Sequence, residues 1–215
     1  PGSGAPAPAG TISDGSTPDD GLDNSNSDDQ PTRPSNENPG PTGSQRSGEH
    51  YDVTLKSDLD GEAIAITVFE PTTWVVGQGY PLVLHGHGYG GSRIKSPGGF
   101  VTQLRDKGYG VVSIDQRGFG DSGGEVRALD PNVEGKDLIQ LIDYLENELP
   151  WLQYADLDGD GPATNNLVLG SYGGSYGGGY QHLILAVDPK QRLDAIVPDI
   201  TWHELNYAFF PNQVF

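Results

Sequence analysis

The chain has 215 residues, of which 30 are acidic and 12 are basic, so its formal net charge is −18. A field of that sign repels phosphate, which argues against a nucleic-acid partner or an anionic membrane surface. The sequence contains no cysteine and no run of 18 apolar residues. These two absences exclude disulfides, thiolate metal sites, a cysteine nucleophile and a transmembrane helix.

Residues 1–48 differ in composition from the rest of the chain. They hold eight of the 17 prolines but only five apolar residues. Ordering a backbone costs roughly 1–2 kcal/mol per residue, which so little apolar area cannot offset. We predict a disordered acidic linker over residues 1–48 that acts as a spacer, since little supports a specific binding role. Residues 49–215 are predicted to fold.

The first residue is Pro1 and the chain contains no methionine. We therefore expect a processed or truncated piece of a longer protein. The acidic linker and the absence of cysteine favour an exported protein, in the extracellular space or the cell envelope.

From His50 onwards, strands and helices alternate along the sequence. Alternating or short continuous apolar runs predict six strands, over residues 51–55, 63–69, 81–85, 110–115, 166–170 and 193–197. Helical spacing of apolar residues predicts helices over residues 100–107, 133–149 and 176–187. The order β-β-β-α-β-α-β-α-β is typical of an α/β fold whose sheet is mostly parallel after an opening hairpin.

A serine between glycines, Gly173-Gly-Ser175-Tyr-Gly177, lies between a predicted strand and a predicted helix. This is the context of a nucleophile elbow, in which the positions two before and two after the serine approach too closely for any side chain. Ser175 is therefore the predicted nucleophile. Ser171 is a weaker candidate because Leu169 stands two residues before it. A phosphate loop is excluded, because no lysine follows the glycines.

A second glycine-rich segment, His85-Gly-His-Gly-Tyr-Gly-Gly-Ser92, follows the third strand. Backbone N–H groups on such a loop can donate to an oxyanion, and the amide after the nucleophile can supply a second donor. The predicted oxyanion hole is Tyr89 and Tyr176. A metal site at His85 and His87 is disfavoured, because no acidic third ligand lies near them in sequence.

Another glycine-rich turn, Asp115-Gln-Arg117-Gly-Phe-Gly-Asp-Ser122, follows the strand at 110–115. The five donors of Arg117 suit a structural role in tying neighbouring loops together.

These three motifs, in this order, resemble the α/β-hydrolase superfamily, and in detail the X-Pro dipeptidyl-peptidase and cocaine-esterase-type serine hydrolases. The resemblance covers roughly residues 50–210 and implies an α/β-hydrolase fold. It also implies that Tyr89 stabilises the oxyanion through its hydroxyl or its backbone N–H. The implied substrate is a small molecule or a peptide, and no cofactor is required.

The sequence departs from the superfamily after the serine, where the order should be serine, acid, histidine. Only His182 and His203 follow Ser175, and His182 lies seven residues into the helix. Asp199 and His203 could supply acid and base, but the family places its acid one strand later. We therefore expect the acid and the base to lie outside this chain, which would be the N-terminal portion of the domain.

Three aspartates alternate with other residues in Asp156-Leu-Asp158-Gly-Asp160-Gly. This spacing resembles the start of a calcium loop, but the twelfth position is Leu167 rather than Glu. A solvated acidic turn is the favoured interpretation and a weak structural calcium site is the alternative.

Three hypotheses about function remain at this point. The first is a serine hydrolase that cleaves an ester or a peptide bond through an acyl-enzyme on Ser175. The second is a non-catalytic binding module with an α/β-hydrolase-like fold. The third is a different elbow chemistry, such as a haloperoxidase-like activity.

Overall fold

The computed structural model describes residues 48–75, 77–155 and 166–210. The six strands are β1 (His50–Lys56), β2 (Ala63–Phe69), β3 (Leu82–Gly86), β4 (Gly110–Ile114), β5 (Leu169–Gly174) and β6 (Leu193–Asp199). The four helices are α1 (Gly99–Asp106), α2 (Glu134–Glu148), α3 (Tyr176–Val187) and α4 (Leu205–Phe209). None of the helices in this part of the chain has the length and apolar character that a membrane crossing requires.

All six strands belong to one sheet, in the spatial order β1-β2-β4-β3-β5-β6. β1 pairs antiparallel with β2, and β2 antiparallel with β4, whereas β4, β3, β5 and β6 are parallel to one another. The predicted α/β fold with a mostly parallel sheet is confirmed. Because the carboxyl ends of β3, β4, β5 and β6 meet at one edge, the loops that follow these strands lie next to each other.

Helices cover both faces of the sheet. On β4, Val112 belongs to the main core, which also contains the apolar faces of α2 and α3. Its neighbour Val111 packs instead with Phe69 and with Val101 of α1. Successive residues of a strand point to opposite faces, so α1 lies on the face opposite α2 and α3.

Two elements differ from the sequence prediction. β5 starts at Leu169 rather than 166 and continues to Gly174, because β3 pairs with it as far as Gly173 and β6 as far as Gly174. The sequence does not predict α4. It forms because the carboxylate of Glu204 accepts hydrogen bonds from the amides of Asn206 and Tyr207, which caps the helix.

Candidate active site

Ser175 is the single residue between the end of β5 and the start of α3. Its φ of 53° and ψ of −116° lie in a region that side chains other than glycine rarely adopt. Backbone strain of this kind costs of order 1–3 kcal/mol and persists only where the surrounding structure imposes it. The turn therefore holds the serine in a conformation that it would not adopt by itself.

The two glycines of the motif allow this turn to close. A Cβ on Gly173 would lie 2.5 Å from the Gly86 carbonyl oxygen and 2.7 Å from that of Gly177. A Cβ on Gly177 would overlap the Gly86 carbonyl and lie 2.9 Å from the His87 carbonyl oxygen. Since these neighbours are backbone atoms, they cannot move aside as a flexible side chain would. The steric requirement predicted for these two positions is confirmed.

The main chain of Ser175 is held on both sides. Its N–H donates to the Asp199 carbonyl oxygen at 2.8 Å, and its carbonyl oxygen accepts from the amides of Gly178 and Gly179 at 2.9 and 3.0 Å. The same carbonyl also accepts from the Thr201 hydroxyl at 3.0 Å. Within the described residues, the Ser175 hydroxyl makes no hydrogen bond.

The structure brings Ser175, Tyr176 and Tyr89 to one cavity of about 370 Å³ at the carboxyl edge of the sheet. Tyr89 is 66% exposed, and its ring lies edge-on to the Tyr176 ring, with the centroids 5.5 Å apart. Tyr176 opens α3, so its N–H has no carbonyl of that helix below it to accept a hydrogen bond. The predicted nucleophile and both predicted oxyanion donors are thus neighbours.

The rest of this cavity is largely apolar, and part of it comes from residues that sequence analysis did not identify. Its other walls come from the loop before α2, the segment after β6, and α4: Ala128, Ile200, Thr201, Trp202, Leu205, Ala208 and Phe209. Burial, and secondly the negative charge of Glu134, raises the pKa of the Tyr176 hydroxyl. The walls therefore suit an uncharged group next to the serine.

His85 and His87 both make hydrogen bonds through their rings. Nδ1 of His85 lies 2.8 Å from the Ser113 hydroxyl. Nδ1 of His87 lies 2.7 Å from the Gly88 carbonyl oxygen, and its Nε2 accepts the Gln116 N–H at 3.3 Å. With the ring hydrogen on Nδ1, Nδ1 donates to the Gly88 carbonyl oxygen and Nε2 accepts from the Gln116 N–H, so both contacts are hydrogen bonds. Neither nitrogen of His87 is then available to a metal or to Ser175.

The other three histidines lie elsewhere on the surface. His50 is on β1, His182 is exposed on α3, and His203 is exposed beside the ring of Tyr207. All five histidines of the chain fall in the described residues, and none of them is recorded as hydrogen-bonded to Ser175 there. Within these residues, therefore, no histidine is paired with Ser175.

Arg117 has the structural role that its position indicated. Its guanidinium is buried and donates to both carboxylate oxygens of Asp137, to Asp60 and to the Ser57 hydroxyl, with distances of 2.7–3.2 Å. These hydrogen bonds and charges raise the pKa of Arg117 above its usual value. Arg117 thereby joins the hairpin after β1, the loop after β4 and helix α2.

The predicted calcium ligands Asp156, Asp158 and Asp160 lie outside the described residues. Within the described ranges, no group of three or more His, Asp or Glu side chains is arranged to hold a metal ion. A larger apolar cavity, of about 460 Å³, lies between α1 and the sheet and does not include Ser175. Ser171, the weaker candidate nucleophile, lines this larger cavity, but its hydroxyl is hydrogen-bonded to the Tyr180 hydroxyl and the Leu84 carbonyl oxygen. Because the larger cavity holds neither Ser175 nor either predicted oxyanion donor, we place the candidate site at the smaller cavity.

Comparison with known proteins identifies the family of this chain. The family model for X-Pro dipeptidyl-peptidase (S15 family) matches residues 60–215. The quorum-quenching protein AidA of Acinetobacter baumannii (strain MDR-ZJ06) is 30% identical over 146 residues, which are 67% of this chain and 42% of AidA. The chain spans less than half the length of the curated relatives it matches.

Among solved structures, a hypothetical protein of Pseudomonas aeruginosa superposes with a TM-score of 0.57 and 20% identity, covering 79% of this chain and 48% of that protein. The α/β hydrolase GrgF of Penicillium sp. sh18 superposes with a TM-score of 0.51 and 19% identity, covering 70% of this chain and 46% of GrgF. At such identities the likeness concerns the fold, which is that of an α/β hydrolase.

Proposed function

Since the chain belongs to the X-Pro dipeptidyl-peptidase (S15) family, we propose that it carries the nucleophile of a serine hydrolase. The reaction is cleavage of an ester or peptide bond through an acyl-enzyme on Ser175. The Ser175 oxygen adds to the substrate carbonyl, the alcohol or amine leaves with a proton, and water then releases the acid.

The observation that carries this proposal is the strained conformation of Ser175 between Gly173 and Gly177. A serine in an ordinary loop needs neither a positive φ nor glycines packed against backbone carbonyls. At a strand-to-helix turn these features present the side chain at the carboxyl edge of the sheet. The helix N-terminus behind it also favours the negative charge that develops during acyl transfer.

The oxyanion donors of this proposal are the Tyr176 N–H and Tyr89, which acts through its hydroxyl or its backbone N–H. Both residues line the same cavity as Ser175. Removing a single oxyanion donor costs about 10²–10³-fold in kcat in well-studied serine hydrolases. Tyr89→Phe removes only the hydroxyl, so it separates the two routes by which Tyr89 can donate.

The general base of this proposal lies outside the 215 residues. His87 is engaged by Gly88 and Gln116, and His182 and His203 are exposed with no recorded contact to Ser175. A serine without an aligned histidine is a poor nucleophile, because its pKa is far above neutrality. We therefore expect the isolated 215-residue chain to hydrolyse esters far more slowly than the whole protein.

The experiment measures hydrolysis of a chromogenic ester and of an X-Pro dipeptide amide by the whole protein, by the 215-residue chain and by variants of the whole protein. Ser175→Ala should abolish both activities, whereas Ser96→Ala, at an exposed serine before α1, should change neither. A whole protein that keeps its rate after Ser175→Ala would refute the proposal. A 215-residue chain as fast as the whole protein would place the base within it, with His203 and Asp199 examined first.

A further inference from the structure

Phe119 is in contact with three residues around the candidate site. Its ring centroid lies 5.3 Å from that of His87, 5.1 Å from that of Tyr89 and 5.5 Å from that of Tyr176, each at a steep interplanar angle. Edge-to-face pairs at such separations are favourable because the positive edge of one ring meets the negative face of the other. Phe119 thus connects the loop after β4 to the loop after β3 and to the first residue of α3.

Tyr89 has little else to hold its side chain. The residue is 66% exposed, no hydrogen bond to its hydroxyl occurs within the described residues, and the aromatic rings that pack against it there are those of Phe119 and Tyr176. An exposed tyrosine can rotate about χ1, and a donor must be fixed before reaction if it is to stabilise an oxyanion efficiently. The ring of Phe119 restricts that rotation.

The loops that carry Phe119 and Tyr89 are anchored to the same buried carboxylate. Asp115, which is fully buried, accepts from the Arg93 amide at 2.5 Å and from the Asp121 amide at 2.9 Å. It is also paired with the Arg93 guanidinium. Arg93 lies four residues after Tyr89, and Asp121 lies two residues after Phe119, so one carboxylate sets the spacing between the two loops.

The backbone around Phe119 is itself tightly constrained. The Phe119 amide donates to the Gln116 carbonyl oxygen at 2.9 Å, and its own carbonyl accepts from the Ser122 amide at 2.9 Å. Gly120 has a φ of 56°, and a Cβ there would overlap the Asp115 carboxylate. The turn therefore wraps around Asp115 and leaves Phe119 only a narrow range of positions.

We propose that Phe119 is a positioning residue for the reaction, which fixes the Tyr89 side chain beside Ser175 from a turn anchored on Asp115. This inference rests on the proposed function and adds a residue to it. Phe119 does not line the cavity that contains Ser175, so its contribution acts through Tyr89 and requires that Tyr89 be present. That dependence distinguishes positioning from a general contribution to stability.

The test is a double-mutant cycle in the whole protein, with kcat and KM for a chromogenic ester measured for Phe119→Ala, Tyr89→Ala and the double variant. We expect Phe119→Ala to lower kcat by about 3- to 10-fold, as the strength of aromatic pairs suggests, with little change in KM. In the Tyr89→Ala background the same substitution should change kcat less than twofold. Phe119→Tyr, which keeps an aromatic ring at this position, should have the kcat of the unmodified protein.

Two further variants keep the test decisive. Phe119→Leu retains apolar volume without a ring and is carried through the same cycle, so that it decides the question if Phe119→Ala fails to fold. Tyr109→Ala, at a partly exposed aromatic residue at the opposite end of β4, is the matched control and should leave kcat unchanged.

The inference is overturned if the Phe119 substitutions lower kcat equally with and without Tyr89, or if they leave kcat unchanged while Ser175→Ala abolishes it. If instead Ser175→Ala retains activity, the proposed function itself fails. The two failures are therefore separate results.

Discussion

The amide of Ser175 donates a 2.8 Å hydrogen bond to the carbonyl oxygen of Asp199, the last residue of β6. The neighbouring strand thus fixes the turn that presents the serine. Thr201, two residues further along, donates its hydroxyl to the carbonyl oxygen of the same serine. The end of β6 therefore holds the candidate nucleophile through both its N–H and its carbonyl oxygen, although it contributes no group to the proposed chemistry.

We predict that alanine at either motif glycine disrupts the turn. Gly177→Ala should lower the free energy of unfolding by about 1–3 kcal/mol or more, because its Cβ overlaps the backbone of Gly86, and Gly173→Ala should act in the same direction. Gly98→Ala is the matched control, since a Cβ there meets nothing within 4 Å and its φ of 173° suits any residue. Denaturant unfolding checks this, and equal stabilities for Gly177→Ala and Gly98→Ala would contradict it.

The buried ion pair between Arg117 and Asp137 gives a second prediction. Asp137→Asn leaves the buried guanidinium without its main counter-charge, which costs about 3–5 kcal/mol when a buried pair is broken in this way. Lys95→Ala breaks a solvent-exposed pair with Asp121 and should have little effect. Chemical denaturation measures the free energy of unfolding of both variants. Similar losses for Asp137→Asn and Lys95→Ala would show that the buried ion pair contributes no more to stability than the exposed one.

His85 gives a pH-dependent prediction. Burial, and secondly the nearby His87, lower the pKa of His85 from 6.5 to about 4. Between these values the unfolded chain binds a proton that the folded chain does not, so stability falls as the pH decreases from about 6.5 to 4 and this contribution levels off below that range. The full contribution is at most about 3 kcal/mol.

The measurement compares unfolding free energies at several pH values for the protein, for His85→Gln and for His182→Gln. His85→Gln should flatten the dependence between pH 4 and 6.5, whereas the exposed His182→Gln should leave it as it is. A slope unchanged by His85→Gln would assign the pH dependence to other groups.

Asp156, Asp158 and Asp160 carry the calcium prediction, which rests on their spacing alone. If a calcium ion binds this chain, Asp158→Ala should remove both the heat of binding in calorimetry and any calcium-dependent rise in melting temperature. Asp194→Ala, on β6, serves as a control at an unrelated aspartate. No heat and no shift in the unmodified protein would mean that these residues form only an acidic turn.

Much of the fold is readable from the sequence because most strands are short apolar runs and most helices have one apolar face. The extent of β5 was not. Gly173 is in a strand because β3 and β6 pair on both sides of it, and Gly174 because its pairing with β6 continues. Such pairing depends on residues far away in sequence. Local propensity, which disfavours glycine in strands, therefore gave the wrong boundary.

The candidate nucleophile could be predicted from the sequence, because the steric demands of its turn fix the residue types at Gly173 and Gly177. Phe119 could not, because its role depends on contacts with Tyr89 and Tyr176, which are 30 and 57 residues away. Within its own motif it stands out only as an aromatic residue between two turn glycines. The walls that Trp202 and Phe209 contribute to the cavity were missed for the same reason.

The most direct test of the central claim is to identify the residue that a fluorophosphonate probe modifies in the whole protein, by mass spectrometry of the digested adduct. We predict a single modified peptide that contains Ser175, labelling that requires folded protein, and no labelling after Ser175→Ala. Labelling of Ser171 or another serine, or undiminished labelling of the Ser175→Ala variant, would contradict it.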